Sequence, residues 1–319
     1  MKILANDGLE SSGIEELRNK GYEVITEKVA QEELIDYINK NEVEVILVRS
    51  ATKVRKDVID QCPGLKIIGR GGVGMDNIAV DYAREKGLHV INTPAASSVS
   101  VAELVFAHLL SGLRFLQDSN RRMPQEGATE FAKLKKAYTK GRELGGKILG
   151  IVGMGRIGQE VAKMALGLGM KVIATDPSVD KVHIKLTFFD GRTVDFEIKT
   201  EPLEKVLKAA DFVTLHVPAQ KEGHIIGKKE LEMMKSDASI INCSRGGVID
   251  EKALLESLDT GKLSFAGLDV FVGEPTPSAD VLRHKKISLT PHTGAATLEA
   301  QGRIALSLAE QIETILKLK

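Results

Sequence analysis

Ile148-Leu149-Gly150-Ile151-Val152-Gly153-Met154-Gly155-Arg156-Ile157-Gly158 is the stretch that decides the fold. A short apolar run, too brief and too β-branched for a helix, enters a G-x-G-x-x-G and leaves it as the helical pattern Ile157–Leu168. In that context each glycine has a task. Gly153 makes the tight turn, Gly155 lets backbone amides approach a ligand, and Gly158 lets the helix pack close to the strand. The N–H groups at the positive helix end then form a seat for a diphosphate. Asp176 follows Gly158 by 18 positions (176 − 158), at the end of the next apolar run. A carboxylate there accepts hydrogen bonds from the adenosine ribose hydroxyls and repels a 2′-phosphate. Pro177-Ser178-Val179 brings no arginine to reverse that preference. The motif points to NAD over NADP, while the turn alone leaves flavin and adenosylmethionine open.

Outward from the motif, short apolar runs alternate with amphipathic stretches, the pattern of βαβ units and a parallel sheet. Before it, strands are predicted at Lys2–Ala5, Glu23–Ile25, Val45–Val48, Lys66–Ile68 and His89–Ile91, with a polar helix such as Glu32–Asn39 between neighbours. A long helix is predicted from about Val99 to Asn120, with Ser97, Ser98 and Ser100 as candidate caps. After the motif come Lys171–Thr175, Phe212–His216, Ser239–Asn242, Phe265–Leu268 and Ile287–Leu289, and a helix from about Thr297 to Leu316 closes the chain. Between Val182 and Ile198 apolar and polar residues alternate around Asp190-Gly191. A two-residue loop would put the apolar residues of the two arms on opposite faces. A three-residue loop, Phe189-Asp190-Gly191, pairs Leu186 with Val194, Ile184 with Phe196 and Val182 with Ile198, so a hairpin is predicted.

At 319 residues the chain exceeds what one hydrophobic core usually supports, so two domains are expected. Lys+Arg and Asp+Glu both number 44, and a net charge of zero argues against nucleic acid as a partner. Any bound anion must be held by a local arginine cluster. The two cysteines, Cys62 and Cys243, form no disulfide framework and no metal spacing, so no metal is expected. The sequence shows neither a signal-like apolar N-terminus nor a membrane-length apolar run, and a cytoplasmic location is expected, with no membrane partner.

Three polar residues stand just past predicted strands of the second series: Arg245 in Asn242-Cys243-Ser244-Arg245-Gly246-Gly247, Glu274 in Asp269-Val270-Phe271-Val272-Gly273-Glu274-Pro275, and His292 in Thr290-Pro291-His292-Thr293-Gly294. In doubly wound sheets ligands bind outside the carboxyl ends of strands. Singly, each residue has an ordinary alternative as a surface fork, a solvated acid or a turn cap. Jointly they suit one reaction. Arg245 can grip a carboxylate bidentately, His292 can carry a proton near neutral pH, and Glu274 can orient the imidazole and favour its charged form.

With these residues in view, the chain resembles the D-isomer-specific 2-hydroxyacid dehydrogenases, over nearly its whole length. The resemblance implies an α/β fold of two doubly wound parallel-sheet domains. A Rossmann nucleotide-binding domain (98–291) is inserted into a flavodoxin-like substrate domain (1–97 and 292–319), with the active site in the cleft between them. It implies Arg245 as the substrate-binding arginine, Glu274 as its glutamate and His292 as the acid/base histidine. Asp269 would hold the nicotinamide carboxamide, and His216-Val217-Pro218 would lie along the adenosine. Cys243 would be only a small packing residue beside the cofactor, with Arg156, Ile157, Ser244 and Gly294 as further cofactor contacts. Arg49 in Val48–Val54, Arg70 in Gly69–Asn77, and Asn92-Thr93-Pro94 resemble the members that oxidise 3-phospho-D-glycerate. There Gly72, Val73 and Gly74 would bind the substrate carboxylate, and Arg49, Arg70 and Arg114 would face a phosphate. The ending at Lys319 implies no C-terminal regulatory domain. The stretch from Val99 to Arg142 resembles the family's dimerisation arm, and a homodimer is expected. Two rivals stay open: a glyoxylate or hydroxypyruvate reductase, and a corepressor-like protein that senses NAD without turning it over.

Overall fold

Alternation of β-branched strands with short helices builds two sheets, each with apolar residues on both faces. The computed structural model describes residues 1–220 and 222–317. It divides into two units, Met1–Ser100 with Ala295–Lys319, and Val101–Gly294.

In the first unit the strands are β1 (Lys2–Ala5), β2 (Glu23–Ile25), β3 (Val43–Val48), β4 (Ile67–Arg70) and β5 (His89–Asn92). All are parallel in the order β2-β1-β3-β4-β5, the flavodoxin-like doubly wound arrangement. The pleat sends alternate residues to opposite cores. Leu4, Ile46 and Ile68 pack on one side with Leu34, Ile38 and Val58. Ile3, Val45, Leu47 and Ile67 pack on the other with Leu17 and with Ile304, Leu308 and Ile312 of the helix Leu298–Lys317.

The second unit holds β6 (Ile148–Val152), β7 (Lys171–Thr175), β8 (Lys181–Thr187), β9 (Thr193–Lys199), β10 (Phe212–Leu215), β11 (Ala238–Asn242), β12 (Leu263–Leu268) and β13 (Ile287–Leu289). Six of these form a parallel sheet in the order β13-β12-β11-β10-β6-β7. Leu149, Ile151 and Phe212 face the helices Ser98–Leu113 and Arg156–Gly167 through Val105, Leu109, Val161 and Ala165. Val213, Leu215 and Ile240 face Leu207, Leu231 and Leu254 on the opposite side.

β8 and β9 are the antiparallel hairpin read from the alternation, in the register Val182–Ile198, Ile184–Phe196, Leu186–Val194. Gly191 takes the left-handed loop position at φ 81°, and Phe188 N donates to Arg192 O at 2.9 Å to close the three-residue loop. Val182, Ile184 and Ile198 are buried in the same core as Val161 and Ala165. Beside β7, where a doubly wound sheet would add its next strand, only the single parallel bridge Ala174–Thr200 remains.

One element differs from the sequence reading. The helix expected to run unbroken from Val99 to Asn120 stops at Leu113, and a second begins at Leu116 and runs to Ala137, bent 54° from the first. Phe115 turns the corner at φ 55°. Tertiary contacts hold the break: Arg142 N donates to Leu113 O at 3.1 Å, and the Phe115 and Tyr138 rings lie 5.8 Å apart. Leu134 is the one buried residue of the second helix, so that helix presents little apolar face to the core.

Burial of the hairpin's inner face sets a stability test. Ile184→Ala should cost about 2–4 kcal/mol, the usual range for an emptied aliphatic core site, whereas Phe189→Ala at the exposed tip should stay within about 0.5 kcal/mol. Urea denaturation of the two variants checks this, and equal midpoints would remove the hairpin from the core.

Candidate active site

A parallel sheet delivers all its carboxyl ends to one edge, and in the second unit each of the six ends carries residues singled out above. β7 leads to Asp176, β6 to Gly153, β10 to His216, β11 to Arg245, β12 to Asp269 and Glu274, and β13 to His292.

The glycine turn is shaped by close approaches. Gly153 sits at φ 98°, and a Cβ there would stand 2.3 Å from His216 O. A Cβ on Gly158 would meet Gly153 O at 2.0 Å, so helix and turn touch backbone to backbone. Gly155, the cap of the helix Arg156–Gly167, faces open space instead. The turn thus keeps an open face in front of free helix N–H groups, which suits a diphosphate. Asp176 Oδ2 accepts from Met154 N at 2.7 Å and Oδ1 from Ser178 N at 2.8 Å. Turn-holding and ribose binding are compatible here, because each oxygen retains a further lone pair. His216 is half-buried as a residue, yet its ring is enclosed: Nε2 meets Thr214 Oγ1 at 2.9 Å and Nδ1 is shut away from solvent. Enclosure pushes its pKa down to about 3, so this histidine stays neutral and lines the site without carrying protons. Val217 packs against Gly153, 3.0 Å from where a side chain there would begin, while Pro218 and Arg156 are exposed and Ile157 is half-buried. Burial raises the Cys243 thiol well above its ordinary pKa, which makes it an inert packing group.

The polar cluster lies farther along the same edge. His292 Nδ1 and Glu274 Oε2 are 2.8 Å apart, and both side chains keep partial access to solvent. Glu274 Oε1 accepts from Phe271 N at 2.8 Å, which fixes the carboxylate to its own loop. Glu251 holds the next residue, accepting from Val272 N at 2.7 Å. Burial first, and the nearby Glu274 charge in addition, raise the Glu251 pKa. Arg245 stands half-buried on a turn shaped by Asn242, which accepts from Ser244 N and Oγ and donates to Arg245 O. Arg245 Nη1 donates to Ser244 O at 2.7 Å. A Cβ on Gly246 would stand 2.0 Å from Phe271 O, so the arginine turn and the glutamate loop press together. His292 has φ 55°, a left-handed conformation costing of order 1 kcal/mol that surrounding bonds must maintain.

Those bonds come from Asp269. It is 1% exposed, and its carboxylate accepts from Thr290 Oγ1 (2.6 Å), Thr293 N (2.8 Å) and Gly294 N (2.9 Å). The resemblance implied a nicotinamide contact for Asp269; the structure shows it clamping the turn that bears His292. Asn242, Thr290 and this clamp went unread in the sequence. The one available signal was a polar residue in or just past an apolar strand. Arg114 is exposed at the helix break, its Nε 3.2 Å from where a side chain on Gly141 would begin.

In the first unit, Arg49 and Arg70 follow and end β3 and β4. Both lie on one glycine segment: a Cβ on Gly71 would stand 3.6 Å from Arg49 Cγ, and one on Gly72 would collide with Arg70 Nη1 at 1.5 Å. Asp7 steadies the arginine loop by accepting from Arg49 N, Thr52 N and Thr52 Oγ1, and Asn77 donates to Arg49 O and Thr52 O. Asn92 Nδ2 donates to the exposed Val73's carbonyl at 2.8 Å, ordering the approach to Gly74. Among the described residues no group of three or more His, Cys, Asp or Glu is placed to hold a metal. No single helix among them is long and apolar enough to cross a membrane.

Comparison with known proteins agrees with this geometry. Residues 106–294 match the family model for the D-isomer specific 2-hydroxyacid dehydrogenase NAD-binding domain. The chain is 42% identical to D-3-phosphoglycerate dehydrogenase of Methanocaldococcus jannaschii over 319 residues, covering 99% of this chain but only 58% of that protein. It is 42% identical to hydroxypyruvate reductase of Thermotoga maritima over 318 residues, covering 98% and 97%. The fold superposes on D-lactate dehydrogenase from Aquifex aeolicus, complexed with NAD and lactic acid, with TM-score 0.74, 28% identity and 99% and 96% coverage. The residues of the turn fit the NAD that this family's domain binds.

Asp176 holds the turn and keeps lone pairs for a ribose, so Asp176→Ala should weaken NAD and relieve repulsion of a 2′-phosphate. The ratio of kcat/KM for NAD over NADP should fall toward one. A wild-type ratio already favouring NADP would sink the assignment.

Proposed function

The chain belongs to the D-isomer-specific 2-hydroxyacid dehydrogenase family, and from that premise we propose that it oxidises 3-phospho-D-glycerate to 3-phosphohydroxypyruvate with NAD, the entry step to serine. The observation that carries the reading is the His292–Glu274 pair, 2.8 Å apart on the strand-end edge that also bears Arg245 and the glycine turn. With Nδ1 directed at Glu274, Nε2 is the nitrogen that takes the substrate hydroxyl proton, and the Glu274 carboxylate holds the ring in orientation. Arg245 grips the C1 carboxylate and the C2 oxygen, aligning the C2–H bond. Gly153–Gly158 would hold NAD, which when bound would supply the acceptor for the hydride from C2. The proton goes to His292 and the C2–O bond becomes a carbonyl.

Arg49 and Arg70 take the substrate phosphate, with the Gly72-Val73-Gly74 backbone meeting the carboxylate and Arg114 as a further cation. With a net charge of zero, long-range attraction contributes little, so these guanidinium groups act locally. A second reading, hydroxypyruvate reduction, is favoured by the Thermotoga maritima relative, which is as similar and matches over nearly its whole length. It needs the same His292, Glu274 and Arg245 but no phosphate grip. We read the chain as a cytoplasmic homodimer that turns its cofactor over. An NAD-binding corepressor would show no turnover at all.

Two variants test the assignment. His292→Ala should lower kcat by roughly 10²–10⁴-fold while NAD affinity measured by fluorescence titration stays near wild type. Near-wild-type turnover would take His292 out of the mechanism. Arg70→Ala should raise KM for 3-phospho-D-glycerate by roughly tenfold or more, with little effect on hydroxypyruvate. Equal losses on the two substrates would make Arg70 structural and return the assignment to an unspecified D-2-hydroxy acid.

A further inference from the structure

A histidine that the reaction scheme leaves unused lies behind the catalytic turn. His108, on the helix Ser98–Leu113, is 2% exposed. Its Nδ1 lies 2.9 Å from Ser288 Oγ and its Nε2 lies 3.0 Å from Thr290 Oγ1. Thr290 Oγ1 in turn donates to Asp269 Oδ1 at 2.6 Å, and Asp269 holds Thr293 N and Gly294 N. The chain of bonds thus runs from the helix to both flanks of His292. Gly267 makes it possible, because a Cβ there would stand 2.7 Å from His108 Cβ.

The donor count decides the tautomer. A hydroxyl has one hydrogen to give, and Thr290 gives it to the Asp269 carboxylate. Toward His108 it can only accept, so Nε2 carries the hydrogen. Nδ1 is then the acceptor, and Ser288 donates to it. Burial pushes the His108 pKa down, against the smaller opposite pull of Asp269, which keeps the ring neutral and the arrangement single-valued. A buried side chain with both ring nitrogens engaged and no route to solvent costs free energy to place there unless both bonds persist.

We propose that His108 is a positioning residue for the dehydrogenase reaction: through Thr290 and Asp269 it holds the left-handed turn at His292 in register with Glu274. The two bonded hydroxyls fix the ring in plane. The ring orients Thr290 toward Asp269 Oδ1, leaving Oδ2 for Gly294 N. Without that orientation Thr290 can turn its hydroxyl away, and the clamp loses its one side-chain donor. His292 would then keep its chemistry but lose its alignment.

The proposal rests on His292 as the proton carrier, and the test separates the two. Nitrogen NMR of the wild-type protein should show His108 as the Nε2–H tautomer, unchanged between about pH 5 and 8, where an ordinary histidine titrates. An Nδ1–H tautomer, or a titrating ring, overturns the proposal without any variant having to fold. His108→Leu keeps the volume and removes both bonds. It should lower kcat per folded molecule by roughly 10- to 100-fold, the scale of a small misplacement of a catalytic group, with KM for NAD and for the hydroxy acid nearly unchanged. His108→Gln, whose amide can donate to Thr290 and accept from Ser288, should recover most of that loss. A normal kcat in His108→Leu, or a loss that His108→Gln fails to restore, overturns the proposal while His292→Ala remains inactive. If His292→Ala itself keeps its turnover, the reading of His292 fails instead, whatever tautomer His108 shows.

Discussion

In a sheet whose strands all run one way, every strand releases its chain at the same edge, and no hydrogen bond of the ladder extends beyond it. The carboxyl-end loops must satisfy their own backbone groups, and in the second unit they do so with buried or half-buried side chains. Asn242 ties the Arg245 turn, Glu251 and Glu274 tie the loop after β12, and Asp269 ties the turn after β13. Chemistry-bearing residues and loop-holding residues are therefore neighbours by construction. This is why so much of the site's order depends on side chains that satisfy the loops' own backbone groups.

Asp269 shows how desolvation organises such an edge. A carboxylate almost fully removed from water is costly unless its oxygens are met by donors, and three converge on it. The same donors belong to the turn around His292, so satisfying the buried charge and holding the strained histidine are one event. The first unit repeats the device with Asp7, which gathers Thr52 and the backbone of Arg49. In both units an acid just past a strand end holds a loop's backbone beside a base or cation.

Much of this was legible before any coordinates. Alternation and loop length specified the hairpin down to its pairs, because a one-residue change of register would have moved three apolar side chains to the wrong face. The glycine turn was legible because its spacing reflects contacts too close for a side chain, such as the 2.0 Å approach at Gly158. The break at Phe115 was not legible. Ser111-Gly112 is only a weak local mark before it, and the aromatic and backbone contacts that hold it come from Tyr138 and Arg142 further along the chain.

The sequence by itself determined the α/β class, the two series of strands, the glycine turn and the candidates Arg245, Glu274 and His292, because each is written in local period, spacing or residue chemistry. Only the tertiary structure decided that Asp269 clamps the His292 turn, that His108 stands behind it, that Asn242 shapes the Arg245 turn, and that Arg49 and Arg70 share one glycine segment. Most of these are contacts between residues distant in sequence, and a polar side chain carries no local sign of which buried partner it will meet. That partner is chosen by which strands lie side by side in the sheet.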